Sequence, residues 1–207
     1  MTAAPDVRAQ PVTRHRLGRA ERSAAIVVAA SRAFAEGGYV ATSMSDIARA
    51  AGVSHPIVYR HFESKDAVYE AILEGARVRL AAALSAADAS GRYGPTPAAL
   101  LAAARADADA FRVLWRYAVR EPDFAHYADA ARRELLRSTT IALEPIVARE
   151  HLRWAARAMV AYVVEAVLVW IEDGDARLDR RFVAATDAAL HAGVRSWAKL
   201  PGSGGRA

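Results

Sequence analysis

Residues 43–66, SMSDIARAAGVSHPIVYRHFESKD, place three helix starts and two helix stops in a very short span. Ser43 with Asp46 three residues on has the spacing of a capped helix start, and Met44, Ile47, Ala48 and Ala51 form one apolar face behind it. Gly52 ends that helix. Ser54 can cap the next, in which Pro56 falls within the first turn, where its missing N–H costs nothing. Ile57 or Val58, together with Phe62, anchors this second helix, which is barely two turns long. Ser64 then opens a longer helix with Val68, Ile72, Leu73, Ala76, Leu80 and Leu84 turned inward, running toward Gly91, Gly94 and Pro95. Two short helices joined by a tight glycine turn form a helix-turn-helix.

The flanking sequence continues in helices. Ile26, Val27, Ala30, Ala33 and Phe34 recur at three- and four-residue spacing, and Gly37-Gly38 is expected to close that helix in a left-handed cap. Further helices are expected from Thr96 or Pro97 to Ala106 and around Phe111, Leu114, Trp115 and Ala118 up to Pro122. Another is expected from Phe124 to Ile146, bent or ended by Pro145. Trp154 to Ile171 is apolar nearly all round, and Asp179 can cap a last helix whose inner face is Phe182, Thr186, Leu190, Val194 and Trp197. No strand pattern or internal repeat is found. The expected fold is all-α, an N-terminal three-helix domain with a helix-turn-helix followed by a larger helical domain. The boundaries are a flexible basic arm at 1–18, the helix-turn-helix unit at 19–66, the larger domain at 67–200 and a tail at 201–207.

Composition narrows the chemistry. Of 207 residues 54% are hydrophobic, enough for a core of ordinary size, and the absence of cysteine removes disulfides, zinc-thiolate sites and thiol nucleophiles. The first twenty residues lack the apolar stretch of a secretory signal, so a cytoplasmic location is expected. The apolar run from Ala158 to Ile171 is broken by Tyr162 and Glu165 and falls short of the roughly 20 residues that cross a bilayer, which suggests a buried helix and no membrane partner. The net charge of +5 leans toward an anionic partner, and residues 1–66 hold nine Lys and Arg against six carboxylates.

Enzyme chemistry finds little support. His55 and His61 are six residues apart and do not share a helical face, and Asp123 with His126 lacks the glutamates of a di-iron bundle. Nucleophile-elbow, phosphate-loop, dinucleotide and zinc-protease motifs are absent, so no catalytic residue, cofactor or metal is expected. A short helix on a compact support instead suits the major groove of B-DNA, with Ser54, His55, Ile57 and Tyr59 toward the duplex.

The residues Thr42, Ile47-Ala48, Ala51-Gly52-Val53-Ser54, Tyr59, His61-Phe62 and Ser64-Lys65-Asp66 resemble the DNA-binding domain of the TetR/AcrR family of transcriptional regulators. The resemblance covers about residues 20–75. It implies that Thr42 and Ser43 touch phosphate, that Tyr59 and His61 clamp the backbone with Lys65 adding a further contact, and that His55, Pro56 and Ile57 read bases. It also implies a larger domain that binds a ligand and dimerises. One short helix reads too little sequence alone, so a homodimer on a double-stranded operator is expected. Val167, Trp170, Phe182, Thr186, Leu190, Val194 and Trp197 are its expected interface.

The middle helices offer Trp115, Tyr117, His126, Tyr127, Tyr162 and Glu165 as walls of a cavity for a lipophilic or cationic small molecule. Glu165, an acid among alanines and valines, must find a partner, an interface or a ligand. The expected function is that of a homodimeric repressor released from its operator by a small-molecule effector. A ligand-independent regulator or activator, or a small helical enzyme or carrier with a vestigial helix-turn-helix, are the alternatives.

Overall fold

A computed structural model describes residues 18–88 and 96–201. Most of the expected basic arm, the segment holding Gly91, Gly94 and Pro95, and the tail beyond Pro201 lie outside the described residues. The described chain is helical with no strand among its residues.

Helix α1 (Arg19–Ala41) buries Ile26, Ala30 and Phe34, which follow one another at four-residue spacing and are at most 1% exposed. Its regular part ends at Gly38, whose φ of 72° suits a residue without Cβ, and a last helical turn then carries the chain to Ala41. That extra turn is longer than the closure expected at Gly37-Gly38. Helices α2 (Met44–Ala50) and α3 (His55–His61) are joined through Gly52, which adopts φ 62°. Ile47 and Val58 are fully buried and lock this pair onto α1 and α4 (Lys65–Asp88).

Helix α4 crosses residue 67 without a break, so the head and the larger domain share one rod. Its Tyr69 ring meets those of Phe34, Tyr39 and Phe124 at 4.9 Å each, an aromatic knot at the joint.

In the larger domain Thr96 caps α5 (Pro97–Ala106), and Asp107 caps α6 (Ala108–Arg112). Helix α6 loosens into a π turn at Val113–Tyr117 and a 3₁₀ turn at Ala118–Arg120 where one regular helix was expected. Helix α7 (Ala125–Leu143) stops just short of Pro145, as the missing N–H requires. Helices α8 (Arg149–Asp173) and α9 (Asp179–Trp197) complete the fold.

By length and hydropathy α1 and α8 are each long and apolar enough to cross a membrane. Both are core helices here: α1 holds the head together, and α8 packs against α5, α7 and α9. The expectation that α8 is apolar all round is corrected, because Arg157, Ala161, Tyr162, Glu165 and Val169 form an exposed ridge along it. Asp179 does not cap α9. Its carboxylate accepts from Arg105 at 2.9 and 3.0 Å and from the Trp170 indole at 2.7 Å, so it fastens α5, α8 and α9 together.

Candidate functional site

The head presents α3 outward. Val58 is fully buried and Phe62 packs on the core, while Ser54, His55, Pro56, Tyr59 and Arg60 are exposed. Four-residue spacing stacks these side chains in two rows, and the His55 and Tyr59 rings meet edge-on at 4.8 Å. Ile57 and His61 are half-buried beside them. The Ser54 hydroxyl makes no capping hydrogen bond. Arg60, which the sequence reading missed, is exposed in the last turn of α3. Its four-residue spacing from Pro56 is the signal that could have found it.

Two expected phosphate contacts are changed by the geometry. Thr42 is 4% exposed, and its hydroxyl lies 2.7 Å from the Gly38 carbonyl and 3.3 Å from that of Ala33. This residue is therefore a corrected assignment: the Gly38 kink leaves free carbonyls at the end of α1, and Thr42 turns inward to satisfy them. The Lys65 ammonium donates to the Tyr39 carbonyl at 2.9 Å and lies 4.2 Å over the Tyr39 ring. It holds α4 to the end of α1, with two further N–H donors left for other acceptors.

Ser43 is exposed and closes the expected capping box with Asp46, whose carboxylate accepts from the Ser43 amide at 2.9 Å and hydroxyl at 2.6 Å. These bonds hold the Asp46 carboxyl below its ordinary value. The cap therefore stabilises α2 above the ordinary aspartate range and is lost as pH falls through the lowered value.

The six residues expected to line one cavity do not converge. Tyr117 donates its hydroxyl to the Ala35 carbonyl at 2.8 Å and so belongs to the joint with the head. His126 is exposed on α7 and stacks on Tyr127, which is half-buried beside Glu70 and Glu74 of α4. Tyr162 is exposed and lines an open groove between α8 and α9. Glu165 reaches that groove too, and it shares a second cavity, of about 450 Å³ between the π turn, α7 and α8, with Trp115.

Glu165 finds its partner in Arg116 at 3.1 Å, and Arg116 also grips Glu172 through two bonds of 3.0 and 3.1 Å. Among the described residues the Trp115 indole N–H has no partner, although the residue is only 5% exposed. Leaving such a donor unpaired costs about 1–3 kcal/mol. The π turn thus sends three consecutive side chains to three places: Trp115 to the cavity, Arg116 to α8 and Tyr117 to α1.

Three of the expected interface residues are corrected, since they turn into the protomer's own core, and the other four are half-buried. Val167, Thr186 and Leu190 are buried within one protomer, at 0%, 4% and 6% exposure. Trp170 stacks on Phe182 at 4.7 Å and Trp197 meets Trp154 edge-on at 5.2 Å, while Val194 lines a separate internal cavity of about 190 Å³. The apolar stripe of α9 packs in part on its own core, with Phe182, Val194 and Trp197 half-buried. What faces outward is the ridge of α8 and a row of small residues on α9, Ala185, Ala188, Ala189 and Ala192.

A three-helix head that exposes the second helix of a helix-turn-helix, carried on a helical domain with cavities between its helices, has the architecture of a DNA-binding module on a helical body. The family model "Bacterial regulatory proteins, tetR family" matches residues 26–72. The HTH-type transcriptional activator FasR of Mycolicibacterium smegmatis is 47% identical over 60 residues, 29% of this chain and 27% of that protein. The HTH-type transcriptional repressor Rv3405c of Mycobacterium tuberculosis is 49% identical over 57 residues, 28% of this chain and 30% of that protein. The matched segments thus span under a third of these curated relatives.

Among solved structures, a TetR-like transcriptional regulator from Rhodococcus sp. RHA1 is similar with a TM-score of 0.71 at 25% identity, covering 89% of this chain and 100% of that one. FadR from Bacillus subtilis, solved in complex with stearoyl-CoA, gives a TM-score of 0.58 at 18% identity over 83% of this chain and 97% of that one, a likeness of fold alone. The head therefore matches the DNA-binding helix-turn-helix of the TetR family of transcriptional regulators, and the chain as a whole is similar in fold to a TetR-like regulator.

Proposed function

We propose that the protein is a homodimeric repressor, acting in the cytoplasm, that leaves its operator when a small molecule enters the larger domain. The observation that carries this reading is the outward face of α3, where Ser54, His55, Pro56, Tyr59 and Arg60 stand clear of the chain's own core. In this reading His55, Pro56 and Ile57 meet base edges. Ser43, Ser54, Tyr59, Arg60, His61 and Lys65 meet phosphates, and Thr42 shapes the turn that presents them. Two heads on a two-fold axis enter successive major grooves about 34–36 Å apart.

Dimerisation in this reading uses the outer faces of α8 and α9, with Tyr162 and Val169 from one and the alanine row from the other. The small side chains allow close approach of helices across the axis. Regulation runs through the π turn as well as the shared α4 rod, because that turn touches both the cavity and the head. A ligand shifts the equilibrium only by its differential affinity for the DNA-bound and free arrangements. Activation is the second reading: the heads of the activator FasR and the repressor Rv3405c both match this one, so the sign rests on operator position.

The test is selection of bound duplexes from a random pool by the full chain. Enrichment of one palindromic sequence supports the reading, and an unenriched pool contradicts it. In the same selection His55→Ala is expected to change the preferred bases, with about 1–3 kcal/mol lost on the original site. Tyr117→Phe is expected to keep DNA binding while blunting the release caused by an effector, since it cuts the bond between the π turn and Ala35. Equal release by the variant would contradict that route.

A further inference from the structure

We infer that the cavity between the π turn, α7 and α8 is a binding site for an amphiphilic anion, an apolar chain or ring ending in a carboxylate or similar acid. The inference rests on the regulator reading for its use but on the cavity alone for its chemistry. Aromatic walls with one carboxylate, Glu165, suit a lipophilic or cationic ligand, and the structure changes that balance of charge.

In the structure Glu165 is paired with Arg116 at 3.1 Å, which offsets its charge. The remaining charged side chains on the cavity wall are Arg132 and Arg157. Neither has a carboxylate partner among the described residues, and the Arg132 guanidinium lies 5.8 Å from the centre of the Trp115 ring. Val160, Val164, Leu168 and Leu136 supply the apolar wall.

The third observation is independent of charge. An indole N–H donates and never accepts, and the buried Trp115 donor has no partner among the described residues, so an acceptor on a ligand in the cavity would satisfy it. Two guanidinium groups and one buried donor around an apolar wall match a carboxylate head and a hydrocarbon body. At about 450 Å³ the space lies in the range of small-molecule sites.

The experiment titrates the full chain with decanoate, decan-1-ol and decylammonium by calorimetry. Decanoate is expected to bind one per chain, at least about tenfold more tightly than the alcohol or the amine. Arg132→Gln and Arg157→Gln are each expected to weaken decanoate about tenfold and to leave decanol unchanged, as charge-assisted hydrogen bonds require. Trp115→Phe keeps the ring and removes the N–H, and is expected to weaken decanoate several-fold without lowering the melting temperature of the ligand-free chain.

A preference for decanol or decylammonium overturns the proposal. So does decanoate binding that both glutamine variants leave intact, or no decanoate binding at millimolar concentration. A parallel titration of the selected duplex separates the two claims. Decanoate that binds with these variant effects but leaves DNA affinity untouched upholds the site and contradicts its regulatory use. Failure of the ligand-free chain to bind any duplex contradicts the regulator reading and leaves the calorimetric result to decide the site.

Discussion

Val169→Arg is expected to yield a folded monomer whose affinity for a palindromic operator falls toward non-specific binding, a loss on the order of a thousandfold or more. Val169 is 44% exposed on the outer ridge of α8, beside Tyr162 and Glu165, so a long charged side chain meets solvent in the isolated protomer and core packing is undisturbed. Across a two-fold axis the same substitution occurs twice and sets two long charged side chains against each other where Ala161, Tyr162 and the alanine row of α9 would otherwise pack closely. Sedimentation velocity reads the mass and a duplex titration reads the affinity. A variant that stays dimeric with full affinity places the interface elsewhere.

Phe34→Ala is expected to cost about 3–5 kcal/mol of stability and with it DNA binding at ordinary temperature. Phe34 is fully buried, its ring 4.9 Å from Tyr69 and 6.2 Å from Tyr39, at the point where α1, α4 and the start of α7 meet. Truncation opens a cavity in that knot, and the head loses its fixed seat on the larger domain. Urea unfolding followed by circular dichroism measures the loss, and Phe34→Leu, which keeps most of the volume, is expected to recover more than half of it. Equal stability of the alanine variant would show that the knot does not hold the joint.

Much of the head was legible in the sequence because its signals are local. The Ser43–Asp46 cap, the Gly52 stop and the Val58 and Phe62 anchors each follow from spacing alone, and all are found where expected. Thr42 was misread because an inward and an outward threonine look alike in a sequence. Its direction depends on the carbonyls freed by the Gly38 kink.

The larger domain was less legible for the same reason. An apolar stripe such as Phe182, Thr186, Leu190 and Val194 marks what a helix buries but not against which molecule, and here its own protomer claims it first. The cavity wall depends on the azimuth of Trp115, Arg116 and Tyr117. A π turn, which shows no hydrophobic period, sets that azimuth. Arg132 and Arg157 read as ordinary surface arginines until α7 and α8 are laid side by side.

Dimethyl sulfate footprinting of the full chain on its selected duplex tests most directly whether α3 is the element that enters the DNA. Guanine N7 lies in the major groove, so two patches of protection centred about 10 base pairs apart are expected, each weakened by His55→Ala. Tight binding that leaves every N7 open to methylation would contradict the account.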